Sequence, residues 1–336
     1  MSDKITINEI AKLAHTSKTT VSFYLNGKTD KMSEETQARI AKVIEETNYS
    51  PSIVARSLNS KGTKLIGVII GDITNTFANQ IVKGIDDFAH EKGYQLIVGN
   101  SNYIFEREKS YVERMLAMGV DGFVVQPSSN FKKLLKTIKK EGKDVVFIDS
   151  QSALDHAKWV KTNNYESVLN VTETLIKQNY DEYILISADP SVLSTRKERA
   201  SAFVDTLKTH NLECITNIVD ADIESEEITK ILESQLQFGK RTLIFVANCF
   251  LLPRVYTAMH NYRRLMPEFI GLVGFDNTEW TSFSSPTVST IEQPAYEEGY
   301  IAARILIDST EGTDKELPNQ ILQCTYHWKE STGNIE

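Results

Sequence analysis

Apolar positions follow one spacing before residue 60 and another after it. In the first fifty residues Ile7, Ile10, Ala11 and Ala14 recur at helical spacing. Val21 and Leu25 then sit four apart, and Ile40, Val43 and Ile44 form a third stripe. Three short amphipathic helices follow from that pattern. Ser17 and Ser33 stand where N-caps belong, each hydroxyl able to accept from a backbone N–H of the turn it opens. From Leu65 onward, short apolar runs alternate with helix-length amphipathic stretches such as 77–92 and 194–209. Strands are expected at 65–70, 94–98, 121–126, 144–149, 183–187, 242–248 and 270–276, with a last strand-like stretch at Gln320–Trp328. Such alternation reads as parallel sheets covered by helices, and 336 residues leave room for two lobes beside a small head.

Charge divides along the same line. Residues 1–64 hold 10 Lys and Arg against 7 Asp and Glu, whereas the remainder holds 27 against 38. A basic head on an acidic body suits a protein whose small end meets phosphate. No apolar run approaches the roughly 20 residues of a membrane span. Nothing apolar follows Met1-Ser2-Asp3-Lys4 to suggest a secretion signal, so a cytoplasmic protein without membrane contact is expected. Three scattered cysteines, Cys214, Cys249 and Cys324, read as buried thiols. There is no phosphate-cradling glycine loop, nucleophile elbow or metal-spaced His or Cys cluster. The expectation is therefore no enzyme, no cofactor and no metal.

The second helix pattern opens Ser17-Lys18-Thr19-Thr20-Val21-Ser22. With Val21 and Leu25 turned inward, Lys18, Thr19, Ser22 and Phe23 face outward. Two helices joined by a tight turn can lay the second in the major groove of DNA. A plain three-helix bundle with a polar surface has the same spacing. Beyond it, 51–58 allows only about two helical turns, too short to be stable alone in water. In the body, polar groups close several strands, namely Asp72, Gln126, Asp149, Asn248 and Asp276. Ligands in such folds sit beyond the carboxyl ends of strands.

Ile7-Asn8-Glu9-Ile10-Ala11-Lys12-Leu13-Ala14, Ser17 to Ser22, Leu25-Asn26-Gly27, Ser33-Glu34-Glu35-Thr36 and Ala55-Arg56-Ser57-Leu58 occur in this order. Their wording and spacing closely resemble the lactose-repressor (LacI) family of bacterial transcription regulators, a resemblance that continues to near the C-terminus. It implies an N-terminal all-α helix-turn-helix domain (1–50), a hinge and linker (51–63), and a two-lobed α/β core of the type I periplasmic-binding-protein kind. The lobes would be 64–162 with 293–322, and 163–292 with 323–336.

The resemblance implies that Lys18, Thr19 and Phe23 face bases while Thr20 and Ser22 hold phosphates, with Asn26 in the same contact set. It also implies that Leu58, beside the small Ala55, wedges into the minor groove at the centre of a two-fold operator. A homodimer on double-stranded DNA follows. The chain ends at Glu336 without a heptad tail, so a tail-built tetramer is not expected. Phe23 departs from the family, which usually carries Arg there, and Phe cannot make the bidentate pair with guanine. The operator should differ at that base pair. His15 stands where the family has a turn glycine.

In the core, the resemblance places Asn75, Phe77, Asp149, Arg199, Asn248 and Asp276 around a small effector between the lobes. Arg199 lies in Thr195-Arg196-Lys197-Glu198-Arg199-Ala200-Ser201-Ala202-Phe203, near the family's Arg-x-x-Gly-Phe, and Asp276 in Gly274-Phe275-Asp276-Asn277-Thr278. Tyr24 to Lys28 and Thr162 to Glu166 resemble the branch that answers to 2-keto-3-deoxygluconate. A sugar acid would use the charge of Arg199, with a neutral sugar or a sugar phosphate open beside it. The expected function is repression of a carbohydrate or sugar-acid catabolic operon. A solute-binding protein of a sugar transporter, the alternative on this core, would need a secretion signal and no DNA-reading head.

Overall fold

The computed structural model describes residues 5–25, 27–49, 62–151, 157–313 and 318–333. It separates into two compact units, 1–63 and 64–336. The first is built from α1 (Ile7–Leu13), α2 (Lys18–Leu25) and α3 (Glu34–Thr47) around Ile10, Ala11, Ala14, Val21 and Ile40. Its caps are local chemistry. Thr6 and Glu9 form a reciprocal capping box on α1. The hydroxyl of Ser17 accepts from Thr20 N–H at 3.1 Å, and that of Ser33 from Thr36 N–H at 3.3 Å. His15 adopts φ 50°, the left-handed geometry that the turn requires.

The second unit holds two six-stranded sheets. The first runs in the order β11-β5-β4-β3-β1-β2, from β1 (Leu65–Ile70), β2 (Gln95–Asn100), β3 (Gly122–Val125), β4 (Asp144–Ile148), β5 (Lys158–Thr162) and β11 (Gln320–Leu322). All its pairs are parallel. The second runs β12-β10-β9-β8-β6-β7, from β6 (Glu182–Ala188), β7 (Cys214–Val219), β8 (Thr242–Val246), β9 (Ile270–Phe275), β10 (Ser289–Glu292) and β12 (Thr325–His327). Only β12 is antiparallel to its neighbour in that sheet.

Helices cover both sheets. Those before the first crossing are α4 (Thr76–Glu91), α5 (Phe105–Met118) and α6 (Leu135–Lys140). Then come α7 (Asn164–Ile176), α8 (Ser194–Thr209), α9 (Ser225–Gln235), α10 (Leu252–Ala258) and α11 (Thr278–Phe283). The last, α12 (Ala295–Glu311), returns to the first sheet and packs on α4. Their backbones nearly touch, since a Cβ on Gly299 would lie 2.0 Å from Ile81 O and one on Gly84 2.0 Å from Tyr296 O.

The stretch Gln320–Trp328, read above as one strand, is two. The chain leaves the first sheet at Leu322 and enters the second at Thr325, because Gln323 and Cys324 are held at the crossing by Asn163. Five further strands escape the apolar-run criterion or fall within that stretch. β5 carries two lysines, β7 is an edge strand with alternating exposure, and β10 spans four residues.

Three segments cross between the sheets, and side chains tie them together. Thr162 Oγ1 donates to Gln293 Oε1 at 2.9 Å, and Asn163 Nδ2 to Gln323 Oε1 at 2.7 Å. Asn163 Oδ1 accepts from Cys324 N–H at 2.9 Å. Lys161 of β5 pairs with Glu198 of α8 at 2.8 Å. Apart from Glu198 Oε2, which meets no partner among the described residues, these polar groups satisfy one another and tie the crossings in register.

Candidate functional site

On the head, α2 buries Val21 and leaves Lys18 and Thr19 exposed. Thr20, Ser22 and Phe23 are half-buried. Thr20 Oγ1 shares a hydrogen bond with Ser17 Oγ at 2.8 Å, which fixes its hydroxyl at the start of the helix. Lys31 Nζ lies 5.2 Å from the centre of the Phe23 ring. A cation therefore accompanies the phenyl group, and the position carries a positive neighbour although its own side chain cannot donate. Asn26, Ala55 and Leu58, and the hinge 51–58 as a whole, lie outside the described residues.

In the body, the carboxyl ends of the strands face a cleft of about 380 Å³. Five of the six predicted effector residues line it, namely Asn75, Phe77, Asp149, Arg199 and Asn248. Asp276 does not. It borders a smaller cavity of about 220 Å³ that shares Phe77 and Gln293 with the first. Each residue is placed by its element. Asn75 caps α4, its Oδ1 accepting from Phe77 N–H at 3.0 Å, while its Nδ2 reaches Cys249 Sγ of the other lobe at 3.3 Å. Asn248 follows β8 and accepts from Ala188 N–H at 2.8 Å, which locks the ends of β6 and β8 together.

Two of the six are bonded to the crossings. Arg199 Nε donates to Asn164 Oδ1 at 2.6 Å and its Nη1 to Ala247 O at 3.3 Å, with its guanidinium 3.8 Å from the Phe275 ring centre. Asp276 accepts from Gln293 twice, from the backbone N–H at 3.0 Å and from Nε2 at 2.8 Å. Arg199 is thus engaged within the protein before any ligand arrives.

The cleft concentrates buried acid. Asp149, 8 % exposed, sits at φ 50° just beyond β4. Its Oδ2 accepts from Gln126 Nε2 at 2.9 Å, and its Oδ1 has no partner among the described residues. Burial pushes its carboxyl up to about 6, against the opposing pull of Arg199. Glu298 accepts from the Asp149 N–H and leaves Oε2 unpartnered, and burial and the Asp149 charge raise it strongly. Burial raises Asp276 as well. A buried acceptor with an open lone pair suits a ligand hydroxyl, the ordinary means of holding a polyol. The Cys249 thiol is pushed up to about 12 by burial and is unreactive.

Several lining residues were missed by the sequence reasoning. Arg196 precedes Arg199 by three positions and so shares its helix face, a spacing that could have revealed it. Tyr103 and Phe250 come from loop positions outside any periodic stretch. Gln293 is marked by nothing in the sequence, because its value lies in where the chain crosses.

A head that presents one helix and a two-lobed body with a polar cleft define a class, ligand-responsive DNA-binding regulators. Comparison narrows it. Residues 66–314 match the periplasmic binding protein domain, and residues 6–52 match bacterial regulatory proteins, lacI family. The chain is 30% identical to the HTH-type transcriptional repressor PurR of Aliivibrio salmonicida, over 90% of this chain and 91% of that one. In structure it is similar to the lac repressor dimer bound to operator and the anti-inducer ONPF (TM-score 0.83, 22% identity, 98% of this chain and 99% of that one). It is also similar to the transcriptional regulator CelR–cellobiose complex (TM-score 0.69, 19% identity, 97% and 99%). The chain belongs to the lacI family of bacterial regulatory proteins and is a transcriptional regulator.

Proposed function

We propose that this regulator represses a carbohydrate or sugar-acid catabolic operon from the cytoplasm, as a homodimer on a two-fold operator. A small sugar or sugar acid in the cleft controls it. The observation that carries the reading is the cleft itself, with an unpartnered buried carboxylate oxygen at Asp149, an aromatic wall at Phe77, and walls from both sheets. The likeness to an operator-bound repressor dimer and to a cellobiose complex supports both halves of the assignment. Among the described residues no helix is long and apolar enough to cross a membrane.

Lys18, Thr19 and Phe23 would face bases and Thr20 and Ser22 the backbone, with Asn26 in the same contact set. Leu58, with Ala55 beside it, would wedge the central step. Asn75, Phe77, Asp149 and Asn248 would hold the effector. Arg199 and Asp276, bonded to the crossings, would hold the pivot about which the lobes move. The lobes would be 64–162 with 293–322, and 163–292 with 323–336. The DNA-reading head weighs against a transporter's solute-binding protein.

Fluorescence anisotropy with double-stranded fragments of the source genome tests this, with and without sugars and sugar acids. A bound fragment whose affinity shifts on the order of 5–150-fold with one metabolite is expected. Leu58→Ala should weaken that DNA binding and leave metabolite binding intact. Indifference to every fragment, with and without metabolites, would sink the proposal.

A further inference from the structure

The cleft contains a second arginine whose donors meet no acceptor among the described residues. Arg196 lies on α8 in the cleft lining. Its guanidinium carbon is 5.9 Å from the ring centre of Tyr103 in the first lobe and 5.3 Å from that of Phe250 in the second. Among the described residues it makes no hydrogen bond and no ion pair, while burial pulls its pKa down. Arg199, one turn later, differs in kind. Its Nε and Nη1 are bonded and its plane lies against Phe275, while the Asp149 carboxylate acts on both arginines.

A guanidinium has five donors in a planar fork and cannot shed its proton, so a half-desolvated one with no acceptor is costly until an anion arrives. Two ring faces bring modest attraction and hold the group across the mouth of the cleft, without satisfying any donor. Backbone geometry adds to the demand. Leu193 stands at the N-cap of α8 and gives no side-chain cap, and its carbonyl receives the first intrahelical bond from Lys197 N–H. The amides of the first turn of α8 thus add positive potential beside Arg196. Deeper in, Asp149 Oδ1 offers an acceptor. The cleft therefore demands hydroxyl donors at one end and a negative group at the other.

We infer that the effector is a polyhydroxy carboxylate whose acid group pairs with Arg196, so that Arg196, and not Arg199, distinguishes a sugar acid from a neutral sugar. This rests on the reading of the cleft as the effector site. One guanidinium fork matches the two oxygens of a carboxylate, and the phosphate arm of the test separates this from a phosphate ester. Arg254 also lines the cleft, with its Nη1 directed at Ala221 O at 2.7 Å.

The test is calorimetric titration of the full-length protein with three groups of probes. The acids are D-gluconate, D-galacturonate and 2-keto-3-deoxy-D-gluconate. The neutral sugars are D-glucose and D-galactose, and the phosphate is D-glucose 6-phosphate. At least one acid should bind more tightly than every neutral sugar and the phosphate. Arg196→Gln should weaken that acid roughly 10–100-fold and leave neutral sugars within about twofold. Arg196→Lys should fall between. Loss of donors that meet no acceptor should also raise the ligand-free melting midpoint of Arg196→Gln, by roughly 2–4 °C, which separates the effect from misfolding. Tighter binding of a neutral sugar or the phosphate overturns the inference while the effector reading stands. So does acid preference that survives Arg196→Gln. Silence from every probe overturns both.

Discussion

Asp276 offers the sharpest test of how the cleft is built, because its two oxygens are already occupied. Replacing it with Ala removes the acceptors for the Gln293 backbone N–H and side-chain amide, at 3.0 and 2.8 Å, in a fully buried setting. A hydrogen bond to a charged acceptor contributes about 1.5–3 kcal/mol, and a buried donor left unmet costs a similar amount. Against this stands the desolvation that raises the Asp276 pKa, which the substitution relieves. The difference should be a loss of about 2–4 kcal/mol, or a fall of roughly 5–12 °C in the melting midpoint of the ligand-free body. Asp276→Asn keeps one acceptor and should lose about half as much. Differential scanning calorimetry without ligand is the assay. A residue that only touched effector would leave that midpoint unchanged, so an Asp276→Ala protein melting with wild type would refute the clamp.

Three other outcomes follow. Asp149, Glu298 and Asp276 all have folded pKa values raised by burial, so their contribution to stability is full below about pH 4 and is lost as pH rises through the folded values, about 6 for Asp149. The ligand-free midpoint should fall from about pH 4 upward, and Asp149→Asn should remove on the order of 3 kcal/mol of the loss that develops between about pH 4 and 6.5. Identical pH profiles for the two proteins would contradict this. Phe23→Arg should shift operator preference toward guanine at one base pair in each half-site by about 1–3 kcal/mol, and unaltered preference in a binding-site selection would exclude base contact there. Gly299→Ala gains about 1 kcal/mol of helix propensity, yet its Cβ would meet Ile81 O at 2.0 Å. A net loss of roughly 1–3 kcal/mol in urea unfolding is expected, and a stabilised variant would show that the two helices can part.

Much of this was legible because local chemistry wrote it. The serine caps, the helical stripes and the apolar strands of both sheets each follow from a few adjacent residues. The polar residues that end strands were legible for the same reason, since a doubly wound sheet turns those ends toward one cleft. What escaped depends on distance along the chain. Asp276 meets Gln293 across 17 positions and Thr162 meets Gln293 across 131, and no local pattern announces such pairs. β7 and β10 were missed because exposed edges and four-residue strands lack an apolar run. The charge of Arg199 was visible in the string, whereas its prior engagement by Asn164 was not.

The tied crossings set where motion can go. If one lobe turns on the other, the axis must pass near Thr162, Gln293 and Gln323, and whatever is bonded there hardly travels. Displacement grows with the lever arm, so the Asn75–Cys249 contact and the Tyr103–Arg196–Phe250 sandwich must shear or part first. A ligand that bridges those outer groups would act with far more torque than one seated against the pivot.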